Sequence, residues 1–402
     1  MNYITRDSKF FPIVLALFAA LPPLAINTYA PAISLIAKDF GVDNSDVLTT
    51  FATYFVGFSF GMLFWGPVSD KYGRKKVIIV GSVIYIISTI LCSMSSNFHM
   101  LEILRLIQGL ADSVGSVISF SIARDCYKGA KLTSMLATII IILLIAPMVA
   151  PIIGSVLVEL THTWQSTFHF LTAYGVLMVI AAILIEETLE PKDRQKDLTK
   201  VIPSYFLHFK NRGFMLGTMA TCALYTPLFI FISSAALIYL DEYKISITLY
   251  CIFYAITCMS AIFANLYIRR YSESIQKLHN IYYTVSAIAI SSIALAVLNF
   301  CRIDNAVIYT MAMFVLCGSV AFSSMIIYSF SLNQVSDNFG TANAISNFSK
   351  NMIAALGSFI VSFYHGRNLI LASPVVQTIF TIIGIVILIT IYKMKIEGTE
   401  AS

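Results

Sequence analysis

The sequence has 402 residues, of which 58% are hydrophobic and 12% charged, with 26 Lys and Arg against 21 Asp and Glu. A soluble domain carries about 25% charged residues. Half that density, with a mean hydropathy of +0.82, excludes a soluble enzyme, a disordered chain and a protein that binds nucleic acid through a basic face.

What remains is a polytopic membrane protein, in which the positions of the few charges carry the information. Each helical crossing takes about 20 mostly apolar residues. The apolar runs predict twelve spans, at 11–36, 46–66, 77–96, 99–121, 133–158, 167–185, 214–238, 247–268, 279–300, 306–329, 340–363 and 371–392. The first follows a charged lead, like a signal peptide, but its apolar run continues into a Pro-kinked segment with no evident cleavage site. It is read as an uncleaved span. Connections are short except at 186–212, a charged cytoplasmic loop that divides a six-helix half, 1–185, from a second, 213–402.

Lys and Arg orient the chain. With a cytoplasmic N-terminus, the inner segments hold 20 of them and the outer segments 4: Lys38, Lys244, Arg302 and Arg367. Both termini are therefore expected in the cytoplasm, in a bacterial-style inner membrane. The seven cysteines (92, 126, 222, 251, 258, 301 and 317) are scattered without a CxxC, so they read as packing residues rather than disulfides or metal ligands. No metal or cofactor is expected, and no Walker or zinc-protease signature is present.

Three motifs follow in chain order. After span 2 comes Gly66-Pro-Val-Ser-Asp70-Lys-Tyr-Gly73-Arg74-Lys75-Lys76. Gly66 allows close helix approach, Pro67 loosens the helix end, and Gly73 permits a tight reversal. Asp70 can pair with Arg74, giving a latch for cytoplasmic helix ends. Span 4 holds Leu104-Arg105-Leu-Ile-Gln108-Gly109. Span 5 holds Ala146-Pro147-Met-Val-Ala150-Pro151-Ile-Ile-Gly154, with its prolines four apart on one face beside small residues.

The first string resembles the loop 2–3 signature of the major facilitator superfamily. The second resembles that family's R-x-x-Q-G motif, and the third its antiporter motif. Ala123-Arg124-Asp125, Glu187-Thr188-Leu189-Glu-Pro191 and the A-P-x-x-A-P form of span 5 look like the Bcr/CflA subfamily of drug–proton antiporters. The second half matches mainly in layout, with weaker echoes at Phe231-Ile-Ser233-Ser234 and Gly340-Thr341-Ala342. The resemblance implies an all-α membrane fold of two pseudo-symmetric six-helix halves around a midplane site. It also implies a monomer that exports small molecules by alternating access, driven by protons.

Charges inside the spans locate the expected site. Arg105 lies about five residues into span 4, where an unpaired charge costs about 2.5–3.5 kcal/mol at mid-helix. It either snorkels beside Glu102 or, as the resemblance implies, lines the cavity. Asp112, two turns deeper on about the same face, can alternate between neutral and charged when desolvated, as a proton site must. Its structural alternative is a pairing across helices, or a bond to Ser113, Ser116 or a backbone carbonyl. Lys350 lies ten residues into span 11, with Asp112 or an anionic substrate as possible partners. Asn343, Asn347 and Asn351 form a polar stripe beside it, which either lines the cavity or staples neighbouring helices together.

One departure stands out. Where the subfamily carries an acid in a D-x-Y-x-P string, this chain has Asn27-Thr28-Tyr29-Ala30-Pro31. Asn27 cannot titrate, so Asp112 becomes the candidate proton carrier.

The expected site is therefore Arg105, Asp112 and Lys350 for coupling and charge, with Asn27, Tyr29, Tyr54, Asn343 and Asn347 for substrate. Gly66, Asp70, Gly73 and Arg74 form the latch, and Pro147, Pro151 and Gly154 the antiporter helix. Tyr225 and Tyr254 are further aromatic candidates. The partners are a small molecule, protons and the bilayer, with no nucleic acid. Drug efflux competes with export of an anionic metabolite such as a carboxylate siderophore, and a non-transporting sensor or scaffold is the rival of another class. An enzyme is not expected.

Overall fold

The computed structural model describes residues 4–6, 8, 10–195, 201–270, 279–300, 305–335, 339–363 and 369–400. Cys301, Arg302 and Arg367 lie outside them. The described chain is helical, apart from one isolated parallel bridge between Ile4 and Ile185. It divides into two units, Met1–Ile202 and Pro203–Ser402.

The first unit begins with α1 (Phe11–Asn27), a short 3-10 turn (Ala30–Ala32) and α2 (Ile33–Phe40). The expected single span is thus broken at Thr28-Tyr29. Pro31 lacks an N–H and cannot continue an α-helical ladder at that point. Next come α3 (Asn44–Tyr72), α4 (Arg74–Ser93), α5 (Phe98–Cys126), α6 (Gly129–Thr161) and α7 (Gln165–Leu184). Several run past the apolar limits read from sequence, because polar helix ends continue beyond the hydrocarbon. The stretch expected as a loop carries a helix of its own, α8 (Val201–Phe209).

The second unit contains α9 (Arg212–Ala236), which continues as a π-helical turn to Glu242, and α10 (Ile247–Arg270). It continues with α11 (His279–Phe300), α12 (Ala306–Asn333), α13 (Phe339–Ser362) and α14 (Leu369–Glu400). Counting α1 with α2 as one crossing gives twelve long helical segments among the described residues. Ten are long and apolar enough to cross a membrane. The other two are α11, whose described apolar run is Val285–Leu295, and α13, where the asparagine stripe and Lys350 dilute the apolar character.

The two units repeat one packing order. In the first, the crossing begun by α1 packs on α5 and α6, α3 packs on α5, and α4 packs on α5 and α7. In the second, α9 packs on α12 and α13, α10 packs on α12, and α11 packs on α12 and α14. The first unit thus centres on its fourth crossing, α5, whereas in the second α9 also packs on α14 and shares the central place with α12.

Helix α6 shows how a span divides its faces. Ile141, Ile145, Val149, Ile152, Val156 and Leu160 form an exposed apolar stripe, while Ala146, Ala150 and Gly154 are buried. Such a stripe needs hydrocarbon as its solvent. The protein is a multi-pass membrane protein.

Candidate functional site

The site in the first unit is built where α3 and α5 approach closely. A Cβ at Gly109 would collide with the backbone oxygen of Tyr54, and one at Gly57 with that of Leu106. At Gly61 it would run into Ser113 and the Leu110 carbonyl. Trp65 Nε1 donates to the Leu110 carbonyl at 2.7 Å and fixes the register of the pair. Close approach then brings Tyr54 to two residues of α5 at once. Its ring lies 4.5 Å from the Arg105 guanidinium carbon, and its hydroxyl donates to Asp112 Oδ2. Tyr29 supplies a second ring to the guanidinium at 4.7 Å, with its own hydroxyl 2.9 Å from Thr50 Oγ1.

Arg105, Tyr29, Tyr54 and Asp112 are all 0% exposed. Arg105 Nη1 donates to Gln108 Oε1 at 2.7 Å, and Gln108 Nε2 donates onward to Thr89 Oγ1 at 2.8 Å. Arg105 Nε and Nη2, Asp112 Oδ1 and the Tyr85 hydroxyl have no hydrogen-bond partner among the described residues. Glu102 is not the partner of Arg105. Its carboxylate takes the Thr49 hydroxyl and lies 3.0 Å from His99 Nδ1. Nor does Asp112 take the Ser113 hydroxyl, which donates to the Leu110 carbonyl. One tyrosine therefore joins the buried acid to the buried cation. The Tyr54 hydroxyl is held by the acid while its ring rests on the cation.

At the break in the first crossing, Asn27 is 3% exposed and its amide donates to the Pro23 carbonyl at 2.7 Å. It completes the end of a Pro-containing helix. Gly154 of α6 packs against this break, since a Cβ there would meet the Thr28 carbonyl. Pro151 lies one turn earlier, and its carbonyl accepts from Ser155 Oγ at 2.7 Å. Pro147 is inside the same helix and half-buried.

In the second unit, Lys350 of α13 lies with its ammonium 4.8 Å from the Tyr225 ring centre and donates to Asn347 Oδ1 at 3.2 Å. Asn347 Nδ2 donates to Asn343 Oδ1 at 2.9 Å, and Tyr328 donates to that same oxygen. These are half-buried side chains, while Asn351 is buried. No described carboxylate of this unit lies within ion-pair distance of Lys350. Tyr254 packs elsewhere, stacked on Phe231 at 5.6 Å.

The latch string forms a charge cluster at one end of the first unit. Gly73 has φ +97, which glycine accepts without strain. Arg74 pairs with Asp70 at 2.5 Å and with Asp125 at 2.8 Å, and donates to Ser69 Oγ at 2.6 Å. Glu187 Oε1 accepts the backbone N–H of Arg74 at 2.9 Å, placing an anion at the N-terminus of α4. Lys75 Nζ donates to the Ile183 and Ile185 carbonyls at the end of α7. Gly66 does not mark the tightest helix contact. A Cβ there would find only Val117 at 3.8 Å.

With this geometry in view, comparison with known proteins assigns the family. The Major Facilitator Superfamily profile matches residues 15–358. The chain belongs to that superfamily. A bicyclomycin resistance protein homolog of Haemophilus influenzae is 27% identical over 262 residues, 65% of this chain and 66% of that protein. The uncharacterized transporter YdgK of Bacillus subtilis is 29% identical over 279 residues, 69% of each chain. The multidrug resistance protein MdtL of Klebsiella pneumoniae is 32% identical over 171 residues, 42% of this chain and 43% of its own. The chain thus matches about two thirds or less of the drug-resistance relatives. The crystal structure of a D-xylose–proton symporter superposes with a TM-score of 0.72 at 12% identity, covering 93% of this chain and 96% of the symporter. The xylose transporter XylE from E. coli, in a partially occluded inward-open conformation, superposes equally well over 95% and 96%. At that identity the likeness speaks for the fold: the chain has the major facilitator fold.

The superfamily motifs and the drug-resistance relatives agree with the Bcr/CflA resemblance read from the sequence. Within the first unit Arg105, Asp112, Tyr29 and Tyr54 meet, whereas Asn27 points its amide back into its own helix. Sequence reading missed Gln108 and Thr89 as supports of Arg105, and Asp125 and Glu187 as members of the Asp70–Arg74 charge cluster. The signal for the last two was available, because both stand in strings that carried the subfamily resemblance.

Proposed function

We propose that this protein is a proton-coupled exporter of small molecules that works by alternating access as a monomer in a bacterial inner membrane, with both termini cytoplasmic. One observation carries the reading: the sealed Arg105–Tyr54–Asp112 arrangement. Asp112 is fully buried in a span, with one oxygen bonded to Tyr54 and the other without a partner. An intramembrane acid marks a functional site by default, and a proton relay is one of the roles such acids serve. When Asp112 is ionised it accepts the Tyr54 hydroxyl. When it is protonated on the free Oδ1 it presents a donor of its own, and the charge-assisted bond from Tyr54 weakens to a neutral one. Because the same tyrosine covers Arg105, protonation reaches the cation without any direct ion pair. The drug-resistance names of the relatives support efflux of foreign compounds as the direction of transport.

The test is pH-driven transport in vesicles containing purified protein. Asp112→Asn is expected to keep substrate binding and to lose the response to an imposed proton gradient. Undiminished proton coupling in that variant would overturn the assignment.

A further inference from the structure

The two intramembrane cations are not equivalent. Arg105 is 0% exposed, approached by two tyrosine rings and bonded to Gln108. Lys350 is half-buried, and so are the side chains around it: Tyr225, Asn343, Asn347 and Tyr328. The second group is the less tightly packed of the two.

The hydrogen bonds at Lys350 run in one direction. Asn343 Oδ1 accepts from both Tyr328 and Asn347 Nδ2, which leaves Asn347 Oδ1 to accept from the Lys350 ammonium. Each amide is thereby held in one orientation. The ammonium has three N–H donors, of which Asn347 takes one, and the Tyr225 face adds a non-directional contact. The unit supplies no described carboxylate to this cation. A charge-assisted bond to an oxyanion is the strongest interaction still open to it. Lys350 is the twelfth residue of the 24-residue α13. That is ~16 Å from the helix start at 1.5 Å per residue. Lipid phosphates lie at the membrane faces, about half a hydrocarbon thickness away. A lipid headgroup is therefore a poor match for this depth.

We propose that Lys350, positioned by Asn347 and Asn343 and backed by the Tyr225 ring, binds the carboxylate of a transported organic acid. The proposal rests on the exporter reading above and adds a substrate class to it. The site discriminates by charge. A carboxylate binds, and the matching neutral amide, of the same shape, does not gain from the cation.

The test uses the full-length protein in detergent and in vesicles. A panel of aromatic and aliphatic acids, each paired with its primary amide (benzoate with benzamide, indole-3-acetate with indole-3-acetamide, citrate with its triamide), is titrated by calorimetry. At least one acid is expected to bind tenfold or more tighter than its amide. Lys350→Gln removes that preference and Lys350→Arg largely retains it. Asn347→Asp places a carboxylate beside Lys350 from within the helix, and is expected to abolish acid binding while thermal stability is unchanged or raised. Acids that never exceed their amides, or a preference that survives both Lys350→Gln and Asn347→Asp, would overturn the proposal. Proton-gradient response with a neutral drug is measured in parallel. If wild-type protein shows that response, the exporter reading stands whatever the acids do. If wild-type protein lacks it, that reading fails separately.

Discussion

Tyr54 illustrates why single residues in this protein do two jobs. Its ring and its hydroxyl contact groups seven positions apart on α5, so the two functions separate by substitution. Tyr54→Phe keeps the ring over Arg105 and loses the bond to Asp112. It is expected to fold, to lose about 1–3 kcal/mol for the unpaired buried carboxyl, and to show altered proton coupling. Tyr54→Leu removes the ring as well, and a desolvated cation–π contact is worth about 2 kcal/mol. Its melting temperature in detergent should fall clearly below that of Tyr54→Phe, and equal stabilities would refute the assigned role of the ring. None of this was legible in the sequence. Arg105 and Asp112 were visible as charges in an apolar run, because such charges are rare and costly. Their connection through Tyr54 was not, since it depends on how α3 is rotated against α5. For Asn27 the opposite holds: the missing acid was evident at once, and the structure adds that its amide closes the helix end at Pro23.

At the scale of elements, glycine placement sets which helices meet. Apolar length predicts that a span exists, but spans that are hydrophobic all round carry no periodic signal for the face they bury. This is why the twelve spans were readable and the contacts between them were not. Gly66 stood out for its place in a motif. The tight contacts instead use Gly57, Gly61 and Gly109, which bring the α3 and α5 backbones together. The contrast is testable. Gly109→Val must push Tyr54 away, at a cost beyond the ~1–3 kcal/mol of ordinary overpacking, and is expected to lose monodisperse protein on size-exclusion chromatography. Gly66→Ala meets only Val117 at 3.8 Å and should purify like wild type. Equal behaviour of the two variants would contradict the packing described.

At the scale of the molecule, one packing order is used twice but carries different chemistry each time. In the first unit the fourth crossing, α5, holds the acid and the arginine. In the second unit the polar residues lie on the fifth crossing, α13. The latch strings also lie in the first unit, where Asp70, Arg74, Asp125 and Glu187 close on one another. The proposed orientation is checked by single-cysteine labelling in intact cells with a membrane-impermeant maleimide. Thr163→Cys and Lys244→Cys are expected to react from outside, and Gln195→Cys only after the cells are opened. All three positions are exposed. Labelling of Gln195→Cys in sealed cells would reverse the topology.

The bridge between Ile4 and Ile185 has a consequence for synthesis. The Ile4 N–H donates to the Leu184 carbonyl at 2.7 Å, and the Tyr127 hydroxyl donates to the Arg6 carbonyl. About 180 residues separate Ile4 from Leu184, so the ribosome must deliver all six crossings before this contact can close. The Arg6 carbonyl can meet Tyr127 once the fourth crossing is made, whereas the Ile4 contact waits for the sixth and marks the moment the first unit is complete. A fusion partner attached ahead of Ile4 would burden that last step, whereas one attached beyond α14 would leave it alone.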